Sequence, residues 1–111
     1  MPARKKGRAV FDFQGRRFVW WIDGDHWLRI TSDDKQFVVA WPLGRAIDES
    51  PILVVHGPEF PGLVQSDPRP VYLIFPEPTG KSIGNWVDEI LRWSFDPSHA
   101  LVRAPGPPRF P

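Results

Sequence analysis

Apolar and polar positions alternate along the first third of the chain, in four short runs separated by turn-forming residues. Alternation with a period of two is typical of β-strands that bury one face. The Gln, Gly, Asp and Ser residues between the runs favour tight turns. The pattern therefore predicts a four-stranded antiparallel meander, with strands over residues 8–13, 17–22, 26–31 and 36–41.

The register of this meander can be predicted from its apolar residues, because a slip of one residue moves every side chain to the other face. Turns of two, three and four residues, at 14–15, 23–25 and 32–35, place the apolar side chains together. In this register Trp21 lies directly opposite Trp27. The predicted core face consists of Phe11, Phe13, Phe18, Trp20, Ile22, Leu28, Ile30, Phe37, Val39 and Trp41.

Two later runs, at residues 52–56 and 71–75, are continuously apolar and rich in β-branched residues. Such runs predict strands that are covered on both sides. The segment between them, residues 57–70, contains four prolines and is predicted to be an extended loop. A loop of this length is either functional or packed against the domain.

Residues 82–95 predict the single helix, with Ser82 as its N-cap. Its large apolar residues recur at helical spacing and form one stripe, which we expect to pack on the sheet. Asp96-Pro97 ends the helix, because a residue before proline avoids the α region. Trp93 lies near the edge of the stripe and is left unassigned. The stripe consists of Ile83, Trp86, Val87, Ile90, Leu91 and Phe95.

These elements predict an α+β domain: a mostly antiparallel, six-stranded curved sheet or half-open barrel, with one C-terminal amphipathic helix packed on it. Residues 8–103 form the domain, between a flexible basic head (1–7) and a proline-rich, disordered tail (104–111). A meander, further strands and a C-terminal helix containing Trp86 resemble the pleckstrin-homology-like layout, which has seven strands. That resemblance implies a fold and carries no function.

Composition sets limits on the chemistry of the chain. With 111 residues, 41% apolar and 24% charged, it is the size of one globular domain. No apolar run reaches the ~18 residues of a membrane span, so we expect a cytoplasmic protein. The absence of cysteine excludes disulfides and Cys-ligated metal sites.

Charge is distributed unevenly along the chain. Residues 1–17 contain six basic side chains and one acidic one, whereas the other 94 residues contain eight basic and twelve acidic ones. The acidic balance of the body argues against strong affinity for nucleic acid. The candidate nucleic-acid arm is therefore confined to residues 1–8, where a solvated terminus is the more ordinary interpretation. Its residues are Arg4, Lys5, Lys6 and Arg8.

Sequence motifs for catalysis are incomplete. The segment 79–82, Thr-Gly-Lys-Ser, follows a strand and precedes a helix, as a phosphate-binding loop does. However, Phe75 stands where that motif needs a glycine, and Pro76 and Pro78 remove amides that would cradle phosphate. Asp23-Gly-Asp25 is too short for a calcium loop. We therefore expect no cofactor and no metal.

We interpret the protein as non-enzymatic, with one alternative: an acid–base or metal site. His56 and Glu59 lie at the end of a predicted strand, near Asp67 in sequence. A metal site would need more ligands in a rigid arrangement. A strand-end histidine bonded to a loop is the commoner outcome.

The second face of the meander is the leading candidate for function. It carries aromatic rings beside guanidinium groups, which suit a protein hot spot and also base stacking. The alternative is that the chain's own loops, such as residues 57–70, cover these rings. The candidate interaction residues are Arg17, Val19, Trp21, Trp27 and Arg29.

The sequence thus favours a small non-enzymatic module for protein interaction or self-association, with a homodimer as one form. The alternative function is a nucleic-acid-binding accessory protein that uses the basic head together with the same Trp/Arg face. The salt dependence of binding distinguishes the two, because contacts to phosphate release counterions.

Overall fold

Six strands form one antiparallel sheet in chain order, and a single helix follows them, in a computed structural model of the chain. The structure describes residues 8–24, 27–43, 52–64, 66–75, 80–96 and 101–106. The predicted α+β architecture, a curved open sheet with one C-terminal helix, is confirmed. The elements are β1 (Ala9–Phe13), β2 (Arg16–Asp23), β3 (Trp27–Ser32), β4 (Val38–Pro42), β5 (Ile52–Val55), β6 (Val71–Ile74) and α1 (Ile83–Ser94).

The β1–β2 hairpin has the predicted register, with Phe11 opposite Phe18. Its turn consists of Gln14 and Gly15, whose φ angles are 52° and 78°. Two successive residues with positive φ are the mark of a type I′ turn, whose twist matches that of the flanking strands. The shortest predicted turn is therefore correct in both position and length.

The next two turns keep their predicted lengths but lie one residue further along the chain. Asp23 pairs with Trp27, and the amide of Ser32 donates to the carbonyl of Phe37 at 2.9 Å. Each shift changes the pairing by two residues, so every side chain stays on its predicted face. The predicted pairing of Trp21 with Trp27 is wrong, because Trp21 lies opposite Arg29.

Local bonding explains both shifts. Gly24 adopts a φ of 63° and begins the β2–β3 turn, so Asp23 remains in the strand. In the β3–β4 turn, Lys35 has a φ of 60°, and the carboxylate of Asp34 accepts from Ser32 Oγ at 2.5 Å. Ser32 is thereby held in β3.

The predicted core face is confirmed. All ten of its residues belong to the hydrophobic core or pack against it. Phe37 lies at the centre of an aromatic cluster, with ring centroids 5.7 Å from Phe18, 5.7 Å from Phe60 and 5.0 Å from Phe95. These rings come from β2, the loop after β5 and the end of α1, so one cluster joins three parts of the fold.

Helix α1 begins and ends as predicted. Ser82 is its N-cap and accepts from the amide of Asn85 at 3.2 Å, and Phe95 is its C-cap. Val87, Ile90 and Leu91 are fully buried against the sheet, and the rest of the stripe packs around them. Trp93, unassigned from the sequence, also joins the core, with its ring 4.9 Å from that of Phe75.

The loop of residues 57–70 is packed against the domain. Phe60 stacks on Phe37 and is almost fully buried. Arg69 organises the loop, because its guanidinium donates to the carbonyls of Gly57 and Asp67 at 2.8 and 2.9 Å. Arg16 of β2 connects the loop to the sheet, because its guanidinium donates to both carboxylate oxygens of Glu59 at 2.9 and 2.7 Å.

The last two strands differ in their burial. All of β5 is buried, as predicted. The same prediction is wrong for β6, where Ile74 is 37% exposed. Val71 and Leu73 of β6 belong to the core, so Ile74 points to the opposite face of the sheet, which is the less covered side of this strand.

A short C-terminal segment lies along the outer side of β6. The amide of Ile74 donates to Val102, and the amide of Ala104 donates to Tyr72, each at 2.8 Å. Ala104, the first residue of the predicted tail, is therefore bonded to the sheet. The predicted head (1–7) and tail residues 107–111 lie outside the described residues.

Among the described residues, no helix has the length and apolar character needed to cross a membrane.

The two glycines at 57 and 84 give a paired test of the packing. A Cβ on Gly57 would lie 2.4 Å from the backbone oxygen of Gln36, whereas one on Gly84 would meet only Ser82 Oγ at 3.9 Å. We expect Gly57→Ala to lower the free energy of unfolding by about 1–3 kcal/mol through overpacking. Gly84→Ala should raise it by roughly 0.5–1 kcal/mol through helix propensity.

Chemical denaturation of the two variants beside the wild type measures both changes. Equal effects of the same sign would contradict the close approach of the loop to β4.

Candidate functional site

The side of the sheet opposite α1 carries the candidate interaction residues, and we call it the outer face. All five predicted residues lie on it, because they alternate with the core residues along β2 and β3. Their neighbours on the outer face, in the same strands and in β1, are Val10, Asp12, Asp23 and Thr31.

The outer face is buried over its middle strands and more accessible towards its edges; we call the part over β1 and β2, with the adjoining end of β3, its accessible half. Thr31 in β3, Ala40 in β4 and Val54 in β5 are buried. Over β1 and β2, in contrast, Val10 is 61% exposed and Trp21 is half-buried. The loop of residues 57–70 sends its buried ring, Phe60, to the core side of the sheet, so Phe60 does not cover the accessible half.

A row of alternating aromatic and charged groups crosses the accessible half. The guanidinium of Arg8 lies over the ring of Trp21, 3.8 Å from its centroid. Trp21 lies opposite Arg29, whose Nε donates to Asp23 at 2.7 Å and whose guanidinium is 6.0 Å from the ring of Trp27. We call these five residues the Trp–Arg ladder. Cation–π contacts of this kind contribute about 0.5–1 kcal/mol at exposed sites.

Arg17 and Val19 lie beside the ladder and not within it. Val19 is half-buried between Val10 of β1 and Thr31 of β3. Arg17 is exposed, and its Nε is 3.9 Å from the carboxylate of Asp12. An exposed pair at that distance adds little to stability, so Arg17 is accessible to a partner.

His56 follows β5 and lies near the far side of the outer face, where its amide donates to Val38 at 2.8 Å. Burial and, next, the positive charge of Arg29 lower the pKa of His56 below its ordinary value of 6.5. Both causes favour the neutral imidazole over the charged one.

The carboxylates of the acid–base alternative, His56 with Glu59 and Asp67, bind two different arginines. Arg16 binds the carboxylate of Glu59, which lowers the pKa of that group. Asp67 instead accepts from Arg103 at 3.0 Å. Within the described part of the chain, no group of three or more His, Asp or Glu side chains is arranged to hold a metal ion.

In the segment that resembles a phosphate-binding loop, both backbone polar groups of the glycine are hydrogen-bonded to side chains of α1. The amide of Gly80 donates to the carboxylate of Glu89 at 2.7 Å, and its carbonyl accepts from Trp86 Nε1 at 2.7 Å. The arrangement is a glycine turn packed on a capped helix, and the amide is not free for an anion.

Two members of the ladder were not assigned to the outer-face site from the sequence. Asp23 was placed in a turn, but it ends β2 and binds Arg29. Arg8 was assigned to the basic arm, but it stacks on Trp21. The predicted pairing of Phe11 with Phe18 already implies that Arg8 faces Trp21, so the signal was present. Arg4, Lys5 and Lys6 lie outside the described residues.

Comparison of the chain with protein-family models, with curated proteins and with solved structures gives no match. The outer face is therefore the basis for inferring function.

The pKa of His56 tests the geometry of the ladder. We expect Arg29→Gln to raise this pKa, because it removes a positive charge that repels the imidazolium. Partial burial remains in the variant, so the pKa should stay below 6.5. An NMR titration of the imidazole protons, assigned with His56→Gln, measures the shift. Arg17→Gln, a change of equal charge on the same face, should leave the pKa unaltered.

The same lowered pKa predicts how stability depends on pH. Below pH 6.5 the unfolded chain takes up a proton at His56 before the folded chain does. The contribution of His56 to stability therefore falls as the pH drops from 6.5 towards the pKa of the folded state. Replacing His56 with Gln should remove this contribution, as measured by denaturation at several pH values.

Proposed function

We propose that the protein is a small non-enzymatic interaction module that binds a protein partner, another chain or a second copy, on its outer face. The observation that supports this is the Trp–Arg ladder. Two half-buried tryptophans lie beside two arginines on the accessible half of a sheet face, whereas Thr31, Ala40 and Val54 in the middle of that face are buried.

Both residue types suit such a role. Trp and Arg are enriched among the residues that dominate binding energy at protein interfaces. In the ladder their side chains are already held, by the stacking of Arg8 on Trp21 and by the bond from Arg29 to Asp23. A partner would therefore order few side chains on binding, which lowers the entropic cost of association.

The double variant Trp21→Ala/Trp27→Ala tests the proposal. We expect it to lose association with the partner, because the apolar area of the ladder is removed. Its free energy of unfolding should fall by less than the about 3–5 kcal/mol that truncation of one fully buried tryptophan costs. The buried Trp41, 2% exposed, provides that comparison through Trp41→Ala.

Association is measured by affinity capture from a source lysate, followed by a binding titration with the purified partner, and by light scattering for self-association. Val64→Ala, at a site 59% exposed in the loop of residues 57–70, is the control that should keep binding. A double variant that unfolds as readily as Trp41→Ala would place both rings in the core and contradict the proposal.

A second candidate function, binding of single-stranded nucleic acid, is favoured by one observation. Arg8 joins the basic head to the ladder, because it follows residues 1–7 directly and stacks on Trp21. Cationic groups next to aromatic rings are the components of single-strand binding surfaces. The acidic balance of the rest of the chain favours a protein partner instead.

A salt titration with a labelled single-stranded oligonucleotide separates the two candidates. For a protein-binding module we expect weak binding that does not saturate. Saturable affinity that falls steeply with salt would support the nucleic-acid function. Deleting residues 1–7 removes Arg4, Lys5 and Lys6 of the arm but keeps Arg8, so the ladder is left intact. This deletion should abolish binding of the oligonucleotide but not of a protein partner.

A further inference from the structure

The two edges of the sheet differ in what lies beside them. Residues 102–104 lie along β6 and bond to its outer side. In the described part of the chain, β1 pairs with β2 alone. An open edge presents unpaired backbone groups and is a template for another strand.

The hairpin geometry shows which backbone groups of β1 face this open edge. Phe13 and Arg16 flank a two-residue type I′ turn and form a hydrogen-bonded pair, so the next pair, Asp12 with Arg17, does not bond. The carbonyl of Arg17 accepts from the amide of Asp33 at 3.2 Å, which confirms that its backbone turns towards β3. The backbone groups of Asp12 therefore point outwards, as do those of Val10 and Arg8.

The side chains at the same three positions would be complementary in charge to those of a second β1 that runs in the opposite direction. Arg8 and Asp12 carry opposite charges and lie two residues on either side of Val10, all on the outer face. If a second β1 runs antiparallel with Val10 opposite Val10, each Arg8 lies opposite an Asp12 of the other copy. Opposite charges in facing positions stabilise strand pairs.

The charges also favour this register over the one that is moved by two residues towards the β1–β2 turn. In that register Asp12 lies opposite Val10, and Arg8 has no facing carboxylate. In the favoured register, Val10 and Asp12 of β1 and Arg8, which directly precedes the strand, form hydrogen-bonded pairs, since each meets another outward-facing residue. A twofold axis then passes beside Val10, as expected for an isologous dimer.

We propose that two copies of the chain associate through antiparallel pairing of β1 with β1, in this register, to form one continuous sheet. The inference goes beyond the proposed function, because its contacts lie along the edge of β1. It shares Arg8 with the Trp–Arg ladder, so Asp12→Arg, which changes no residue of the ladder, is the variant that distinguishes the two. The pairing would place two Trp–Arg ladders on one shared face. Pairing of five-residue strands buries less than the about 1,200 Å² of standard stable interfaces, so we expect a weak dimer.

Charge exchange at the edge is the decisive experiment. Arg8→Glu alone and Asp12→Arg alone each place like charges opposite one another twice in a homodimer. We expect either variant to raise the dissociation constant of the dimer at least about tenfold, which corresponds to about 1.4 kcal/mol of repulsion. A mixture of the two variants should form a heterodimer, because the side chains introduced by R8E and D12R carry opposite charges and face each other across the two strands. Sedimentation equilibrium of each variant and of the mixture measures this.

Val10→Pro tests the backbone pairing separately. Proline at this position lacks the backbone N–H that points away from β2, and the hydrogen bonds between β1 and β2 remain. The variant should therefore be a folded monomer with an unchanged circular dichroism spectrum. Val10→Glu and Val64→Glu form a matched pair, since the two sites are 61% and 59% exposed. The first should abolish the dimer and the second should not.

Three results would overturn the inference. One is a wild type that stays monomeric at about 1 mM, a concentration at which even a weak complex forms. Another is a mixture that fails to restore the dimer lost in the two charge variants. The third is a dimer that survives Val10→Pro but is lost in Trp21→Ala/Trp27→Ala, which would place self-association on the ladder and support the proposed function instead.

Discussion

The packing of Phe37 against three other aromatic rings is the interaction on which the rest of the structure depends. Phe18 brings β2 to it, Phe60 brings the loop of residues 57–70, and Phe95 brings the end of α1. Phe37 is fully buried, and its amide and carbonyl are both bonded to Ser32. The ring is therefore fixed at the junction of turn, sheet, loop and helix.

Once this cluster fixes the core side of the sheet, the composition of the outer face follows. Side chains alternate along a strand, so Phe18 in the core requires Arg17 and Val19 to face away from it. The same alternation places Arg8, Trp21 and Arg29 together, because each lies one residue from a core position. The ladder is in this sense a consequence of the core, and its residues need no motif of their own to meet.

From the sequence, the sheet face on which each side chain lies could therefore be predicted better than the residue it faces on the neighbouring strand. In both turns that were predicted one residue too early, the cross-strand pairing differs from the predicted one by two residues. A change of two residues keeps every side chain on the same face of the sheet, so the apolar pattern could not distinguish the two pairings. What decided it was the φ of Gly24 and the bond from Ser32 to Asp34, which are local details. The Arg16–Glu59 contact joins residues 43 positions apart, and no periodicity encodes a contact of that kind.

The charges of the ladder are already engaged within the chain, and this limits how a partner can use them. An acidic partner approaching Arg29 must compete with Asp23, which already accepts from it at 2.7 Å. A cation stacked on Trp21, as Arg8 is, keeps its charge accessible but gives up the ring face. Under the proposed function the net electrostatic gain on binding would therefore be small, and affinity would have to come mainly from the apolar area of the two tryptophans that Arg8 leaves accessible. The arginines would then serve mainly to orient the partner.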